Sequence, residues 1–414
     1  MPTGIFTNPL SITSQFPFCG LPLRLDSYAG CAFRCSYCFA RYRGGNSYGD
    51  KVRPADPQRL ARMMDKAGEK SRVDQSGLLV QFLRRRVPIH LGGMSDPFQP
   101  AETLHRVTES MLKILARHHY PTVISTKGSL VASPRYLSLL KAIGTVVVQF
   151  SFSSSEDAIA RIVEPASAAP TSLLRAMETL ANNGVPVTCR WQPFIPGLSE
   201  SPSAFVPRLS AVGCRHVALE HLKIPVERQH PLWERLTTSL GRNLRAEYGE
   251  LGARRDGREF VLPHATKLPT VLQVASAVRK HGMTFGAADN EFQYLSDTAC
   301  CCSGVDQFAG FENWFKHQIA YAVRKCIGKR ITYDSIAREW APAGSIDWFL
   351  NSRSRLSRQT GRKGSVRDHI QARWNDPARS GSPASFYGVR SNSTTTANGL
   401  LIYQWDRELV PSSI

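Results

Sequence analysis

Pro121-Thr-Val-Ile-Ser-Thr126 is a short β-rich run, and Ser133 to Ile143 follows it with the apolar spacing of a helix. Thr145-Val-Val-Val-Gln-Phe-Ser-Phe152 is then a second β-rich run. Two strands joined through a helix, with no hairpin turn between them, lie parallel in one sheet. The same unit recurs on both sides. Toward the N-terminus, Glu102 to His119 reads as one helix with Leu104, Val107, Met111, Leu112 and Leu115 on a single face. Before it stands the run Val87-Pro-Ile-His-Leu91, then a largely helical stretch at Pro57–Leu83, and a first strand near Leu21–Leu25. Toward the C-terminus, a helix at Leu173–Asn183 leads to the strand Val185–Trp191, and a helix at Ser203–Val212 leads to His216–Leu222.

Six strands in such alternation predict an α/β fold, a partial (β/α)6 TIM-like barrel. Chemistry in parallel barrels gathers at the C-terminal ends of the strands. Lys223 to about Lys267 is irregular and charged, and reads as a helical insertion or a lid. Leu268–His281 is a further helix, and Thr284–Ala288 a further short strand.

The chain has 414 residues, 42% hydrophobic and 21% charged, which excludes wholesale disorder. No apolar run is long enough for a membrane helix, and Met1–Leu10 lacks a secretory pattern, so a cytoplasmic protein without a membrane partner is expected. The net charge of +19 points to a polyanionic partner, most simply nucleic acid, or to a generally basic proteome. Residues 303–414 change character, which divides the chain into a core at 1–302 and a basic, mainly α C-terminal domain at 303–414. Within 321–380 there are 13 Lys+Arg against 5 Asp+Glu, interleaved with Trp340, Trp348, Phe349 and Trp374. Short helices at Ser335–Trp340, Ser345–Leu356 and Val366–Trp374, then a hairpin around Ser391–Asn398, make a winged-helix-like arrangement.

Ten cysteines are clustered rather than spread. Clustered thiols of this kind bind metal or do redox chemistry more often than they cross-link. Cys31-Ala-Phe-Arg-Cys35-Ser-Tyr-Cys38 supplies three thiols on one loop. Three thiolates around a four-iron cube leave one iron open to a ligand. A zinc site is the alternative, with Cys19 as fourth ligand; the closest downstream histidine is His90.

At these residues the chain resembles the radical SAM superfamily. The loop 28–42, from Tyr28 through the three cysteines to Tyr42, is similar to the spore photoproduct lyase-like branch, also described as DNA repair photolyase-like. The resemblance spans roughly residues 20–225. It implies a [4Fe-4S] cluster on Cys31, Cys35 and Cys38, and S-adenosylmethionine (SAM) on the open iron. It also implies an external one-electron reductant, and cleavage of SAM to a 5′-deoxyadenosyl radical that abstracts hydrogen from a substrate. Tyr37 would lie near the adenine, or else simply pack on the loop.

Further positions follow at the strand ends. Gly92-Gly93 either offers carbonyls to the SAM ammonium or makes a tight turn. Ser95-Asp96-Pro-Phe-Gln-Pro-Ala-Glu102 is similar to the corresponding string of the branch. Asp96 and Glu102 either orient the site or cap the next helix. Lys127 is placed for the SAM carboxylate, or is a surface lysine. Ser151 or Ser153 matches a SAM-contacting serine, Glu164-Pro165 a Glu-Pro of the family, and Arg190, followed by Gln192, is a second carboxylate clamp. Solvated or structural roles are the alternative for these polar side chains. In spore photoproduct lyases proper, a cysteine before the Ser-Asp string returns hydrogen to the product. Here that position is Gly93, so the chain is not read as a spore photoproduct lyase.

Cys300, Cys301 and Cys302 have three readings: an auxiliary metal site with Cys326 or Cys19, a hydrogen-donating thiol, or buried structural thiols. The functional expectation is a radical SAM enzyme acting on nucleic acid in repair or modification. The alternatives are a radical SAM enzyme modifying a protein, peptide or small molecule, and a non-catalytic zinc protein that binds nucleic acid.

Overall fold

The computed structural model describes residues 4–13, 21–40, 51–69, 78–227, 231–257, 259–300, 302–311, 319–340, 371–379, 381–406 and 408–409. The strands in chain order begin with β1 (Leu10–Ile12), β2 (Leu23–Leu25), β3 (Tyr28–Ala29), β4 (Arg53–Pro54) and β5 (Ile89–Leu91). They continue with β6 (Thr122–Thr126), β7 (Val146–Phe152), β8 (Val187–Phe194), β9 (Cys214–His221) and β10 (Ile224–Pro225). The last are β11 (Arg254–Asp256), β12 (Glu259–Val261), β13 (Thr284–Ala287), β14 (Val389–Thr395) and β15 (Leu401–Trp405).

An eight-stranded sheet runs in the order β1-β2-β5-β6-β7-β8-β9-β13. From β5 to β9 each neighbouring pair is parallel. This is the α/β partial-barrel architecture expected from the strand–helix alternation. The six expected strands are β2, β5, β6, β7, β8 and β9, and Thr284–Ala287 joins as β13.

By contact the chain forms two compact units, the first being Met1–Leu10, Arg24–Ala61 and Ile89–Phe285. In it the strands alternate sharply. On β7, Val146, Val148, Phe150 and Phe152 are buried on one face. The other face carries Val147, Gln149 and Ser151. Parallel strands covered on both sides normally read as continuous apolar runs. Polar residues with period two therefore mark a face put to another use.

Two expectations change. Glu102 to His119 is not one helix but two, Ala101–His105 and Val107–Arg117, broken at Arg106 with φ +51°. The cause is Glu102, whose carboxylate accepts from Thr108 N and Glu109 N at 2.9 Å each. An unbroken helix would send those amides to backbone carbonyls instead. The segment after Lys223 is also ordered. Helices Pro231–Leu240 and Leu244–Glu250 accompany a small antiparallel sheet, β10-β12-β11. Leu232, Trp233, Leu236, Leu244 and Tyr248 form a core there with Val163, Ile195 and Leu222, and Tyr37 packs against it.

The second unit is Ser11–Leu23, Arg62–Pro88 and Gly286–Ile414. The expected hairpin is β14 paired antiparallel with β15. Trp374 was expected to alternate with charge on a binding surface. It is instead 1% exposed, donates Nε1–H to Leu401 O at 2.7 Å and meets Tyr403 edge-on at 5.4 Å. An indole so enclosed is core, not a stacking platform. Trp348, Phe349, the expected helix Ser345–Leu356 and the rest of 341–370 lie outside the described residues.

Candidate active site

The three-cysteine loop hangs from the ends of the strands. Tyr28 at its start is fully buried and donates its hydroxyl to Glu102 Oε2 at 2.5 Å. Tyr136 donates to Glu102 Oε1 at 2.6 Å. Glu102 thus accepts two tyrosines and two helix amides, which makes it both the helix cap and the anchor of the loop. Gln99 clamps the loop backbone, accepting from Ala32 N at 2.8 Å and donating to Gly30 O at 3.1 Å. Ser95 Oγ donates to Tyr28 O at 2.5 Å. At the far side, Ser36 N donates to Val163 O at 2.8 Å.

Cys31, Cys35 and Cys38 are half-buried, and none is in a disulfide. Burial pushes the Cys31 thiol up to about 12, and nearby Asp96 adds to the effect. Burial also pushes Cys35 well up, Glu164 adding to it and Lys127 opposing it. Thiols held protonated by burial ionise when a metal takes them, releasing protons. Among the described residues, no three His, Cys, Asp or Glu side chains have the spacing of a single-ion site. A cube of iron and sulfide takes its thiolates at separate corners and needs no such close grouping. Cys19 lies outside the described residues.

Asp96 sits where the loop meets β6. Its Oδ1 accepts from Phe98 N at 2.9 Å and Thr126 Oγ1 at 2.8 Å, and its Oδ2 from Lys127 N at 2.6 Å. Burial pushes its carboxyl up to about 6 against these bonds. Lys127 Nζ reaches Glu164 Oε1 at 2.9 Å and Ser151 O at 3.1 Å, and lies 5.7 Å from the Tyr37 ring centre. Tyr37 donates its hydroxyl to the same Glu164 oxygen. Lys127, Ser151, Glu164, Tyr37 and Cys35 are thus brought together. Lys127 is engaged in an ion pair, so it is not a free surface lysine.

The two glycines accommodate close approach. Gly92 has φ +92°, and a Cβ there would lie 2.4 Å from Ser125 O. A Cβ on Gly93 would lie 2.5 Å from Arg24 Cδ. Asp26 accepts from Met94 N and Ser95 N at 2.8 and 3.2 Å, holding the following turn to β2. Ser153 Oγ is buried and, among the described residues, has no hydrogen-bond partner. The space at both glycines is taken up by the protein's own atoms, whereas an orphaned hydroxyl, a strand-end lysine and three thiols suit a polar cofactor lying over this end of the sheet.

Arg190 is placed differently from a simple clamp. Its Nη2 lies 3.0 Å from Glu220 Oε2, which also accepts from Gln192 Nε2 at 2.5 Å. Lys223 Nζ reaches Glu220 Oε1 at 2.7 Å. His90 Nε2 lies 2.7 Å from Ser125 Oγ, which donates to Gln149 Oε1 at 3.2 Å. Burial, with the charges of Arg190 and Arg24, holds the His90 imidazole down at about 3, so it is neutral. Arg24, Gln99, Gln149, Glu220 and Lys223 were not among the expected site residues. The signal that finds Arg24, Gln149 and Glu220 is the period-two placement of polar residues inside apolar strands, as in Leu23-Arg-Leu25.

Cys300 belongs to the second unit. It is buried, and its thiol is pushed up first by a hydrogen bond with Cys302 and then by burial. Asp306 accepts from Ala299 N and Cys300 N at 2.9 and 3.1 Å. Cys302 and Cys326 are half-buried, and Cys301 lies outside the described residues.

A parallel α/β sheet with a three-thiol loop over its strand ends defines a class of cofactor-dependent enzymes. Residues 26–202 match the model of the radical SAM superfamily, so the chain carries a radical SAM domain. Its cofactors are those of the family, a [4Fe-4S] cluster and SAM. The protein MJ0683 of Methanocaldococcus jannaschii is 24% identical over 180 residues, 42% of this chain and 61% of that protein. The chain thus spans under two thirds of that relative's length. A spore photoproduct lyase complexed with dinucleoside spore photoproduct aligns at TM-score 0.48. That alignment is 13% identical and covers 68% of this chain and 79% of the other. Streptococcus suis SuiB bound to S-adenosylmethionine aligns at TM-score 0.36 and 12% identity, over 54% of this chain and 48% of SuiB. Among the described residues, no helix is long and apolar enough to cross a membrane.

Proposed function

We propose that the protein is a radical SAM enzyme whose cluster is held by Cys31, Cys35 and Cys38, and whose substrate is nucleic acid. The observation that carries the first part is the three-thiol loop, pinned by Glu102, Gln99 and Val163 over the strand ends within the matched residues. The cluster and SAM, when bound, supply hydrogen-atom abstraction from an unactivated carbon, driven by one electron from an external reductant.

The chain's own residues bind and orient. Lys127 meets the SAM carboxylate, exchanging part of its bond to Glu164 for a charge-assisted contact. Gly92 and Gly93 allow backbone approach to the ammonium, and Ser95 and Ser151 complete the polar rim. Tyr37, fixed by Glu164 and by the Trp233 core, walls the adenine side. Arg190, held by Glu220, is the second carboxylate clamp of this rim.

The nucleic-acid reading is supported by the net charge of +19 and by the excess of Lys and Arg in 321–380. In it, residues 1–302 are the catalytic core and 303–414 the module that meets phosphates. Anaerobic reconstitution tests the first part: about four irons per chain and formation of 5′-deoxyadenosine from SAM are expected, and both are lost in Cys31→Ala, Cys35→Ala and Cys38→Ala. A zinc-containing, SAM-inert protein overturns it. DNA and RNA binding that falls steeply with salt is expected for the second part, and its absence overturns that part alone.

A further inference from the structure

Of residues 31–40, which carry the three thiols, Arg34 alone is exposed. Its backbone is left-handed, with φ +54°. That conformation crowds the Cβ of every residue but glycine, so an arginine there is strained. The loop imposes it: Ala32 N donates to Gln99 Oε1 at 2.8 Å on one side, and Ser36 N to Val163 O at 2.8 Å on the other. Phe33 is buried, and Cys35 feels the charges of Lys127 and Glu164. Arg34, between them, is turned to solvent. Among the described residues no hydrogen bond or ion pair holds its guanidinium. Glycine would take this position without strain, so what the arginine adds is a cation on the outside of the cysteine loop.

The foot of the loop is basic as well. Ala29 pairs with Arg53 and Tyr28 with Pro54, so the chain leaves this ladder just ahead of Cys31 and rejoins it just after Lys51. Lys51 is exposed, and no described residue pairs with its side chain. Arg53 lies across Gly4, where a Cβ would come within 2.6 Å of its Cδ. Phe6 N donates to Pro54 O at 2.8 Å. Ile5, between those two contacts, keeps 57% of its surface open. From Cys31 to Arg59 the sequence holds six Lys and Arg against two Asp. An exposed aliphatic side chain with cations beside it suits a protein surface of opposite charge. A phosphate backbone would gain nothing from the isoleucine.

We propose that Arg34, Lys51 and Ile5 form the docking surface of an acidic one-electron carrier protein, and that the electron enters at the cysteine loop. This rests on the radical SAM reading and deepens it by giving the external reductant a place and a charge. The carrier gives up one electron and is oxidised, and the cluster is reduced by that electron; no bond breaks and no proton moves. The docking face is the solvent side of the loop, apart from the Lys127–Glu164 pair on its buried side.

The test uses flavodoxin, an acidic flavoprotein, with the full-length, iron-loaded protein. Calorimetry with oxidised flavodoxin should show saturable binding that weakens as salt rises. Arg34→Glu and Lys51→Glu are each expected to weaken it about tenfold, and Arg34→Gly about threefold. In stopped-flow traces of cluster absorbance, Arg34→Glu should slow reduction by reduced flavodoxin about tenfold, while reduction by dithionite keeps its rate. Absence of binding by wild type overturns the proposal, as does equal binding in wild type and both glutamate variants. Equal slowing with dithionite overturns it too, since the damage then lies in the loop. So does loss of nucleic-acid binding in Arg34→Glu with flavodoxin binding intact, which assigns the surface to phosphates. Arg34→Gly removes the charge without adding strain, so it carries the comparison should Arg34→Glu fail to hold iron. Dithionite-driven SAM cleavage separates the two readings. An iron-loaded wild type that does not cleave SAM sinks the radical SAM reading, whereas SAM cleavage with flavodoxin binding indifferent to Arg34 and Lys51 sinks only the docking surface.

Discussion

Lys127 Nζ lies 2.9 Å from Glu164 Oε1, an ion pair in which the lysine is 12% and the glutamate 2% exposed. Tyr37 donates to the same oxygen, and Ser167 Oγ bonds the other at 3.2 Å. The pair lies close enough to Cys35 for its two charges to pull that thiol in opposite directions.

Cys35 reactivity is therefore expected to report the pair. Glu164→Gln removes a charge that raises the thiol, so more thiolate forms at a given pH. Lys127→Met removes a charge that lowers it, so less forms. Iodoacetamide alkylation of iron-free protein, followed at Cys35 by peptide mass spectrometry, should run faster in the first variant and slower in the second. The change should be about threefold or more. Equal rates would show that neither charge reaches the thiol. In the loaded protein, Lys127→Met should weaken SAM binding about tenfold, while Glu164→Gln should not weaken it.

Glu102 offers a second point of attack. It is fully buried and accepts from Tyr28, Tyr136, Thr108 N and Glu109 N. Glu102→Ala strands two tyrosine hydroxyls and two helix amides. A loss of about 3 kcal/mol or more is expected in urea unfolding, with the m-value unchanged. Because Tyr28 opens the cysteine loop, iron uptake should fall as well. A stability loss within error would mean that water replaces the carboxylate.

Gly93 and Arg24 should be energetically coupled. Gly93→Ala places a methyl group where the Arg24 stem runs, and the arginine must shift. In an Arg24→Ala background that obstacle is gone. A double-mutant cycle should show that Gly93→Ala costs less there by about 1 kcal/mol or more. Additive effects would mean that the stem moves aside freely.

His90 makes an acid-sensitivity prediction. Its folded value is held at about 3 against an ordinary 6.5. Between those values the unfolded chain takes up a proton that the folded chain refuses, so stability falls as pH drops through the window and is fully present above it. The slope is about 1.4 kcal/mol for each pH unit inside the window. His90→Gln, which keeps a donor for Ser125, should flatten the fall relative to wild type in urea unfolding between about pH 6.5 and the acid limit. Identical profiles would show that His90 is not held neutral.

Much of this was legible in the chain. The strand–helix alternation from Val87 to Leu222 appears as β5 to β9 with helices between, because apolar runs and amphipathic spacing are local properties. The three cysteines were legible because their spacing along a loop suffices to bring them together. The break at Arg106 was not, because the apolar stripe from Leu104 to Leu115 runs straight through it. Glu102 overrides that stripe by taking two amides, and this depends on two tyrosines far away in sequence that hold its carboxylate in place.

The same division holds at the site. Residue type and spacing determined that three thiols share one loop, that glycines stand at a strand end and that a lysine ends β6, since these follow from neighbours in the chain. Only the tertiary structure decided that Lys127 is paired with Glu164 and that Trp374 is core. Glu164 follows a helix 37 positions beyond Lys127, and Trp374 is enclosed by Tyr403 from a hairpin 29 positions on, so each relationship forms only when separate elements pack together.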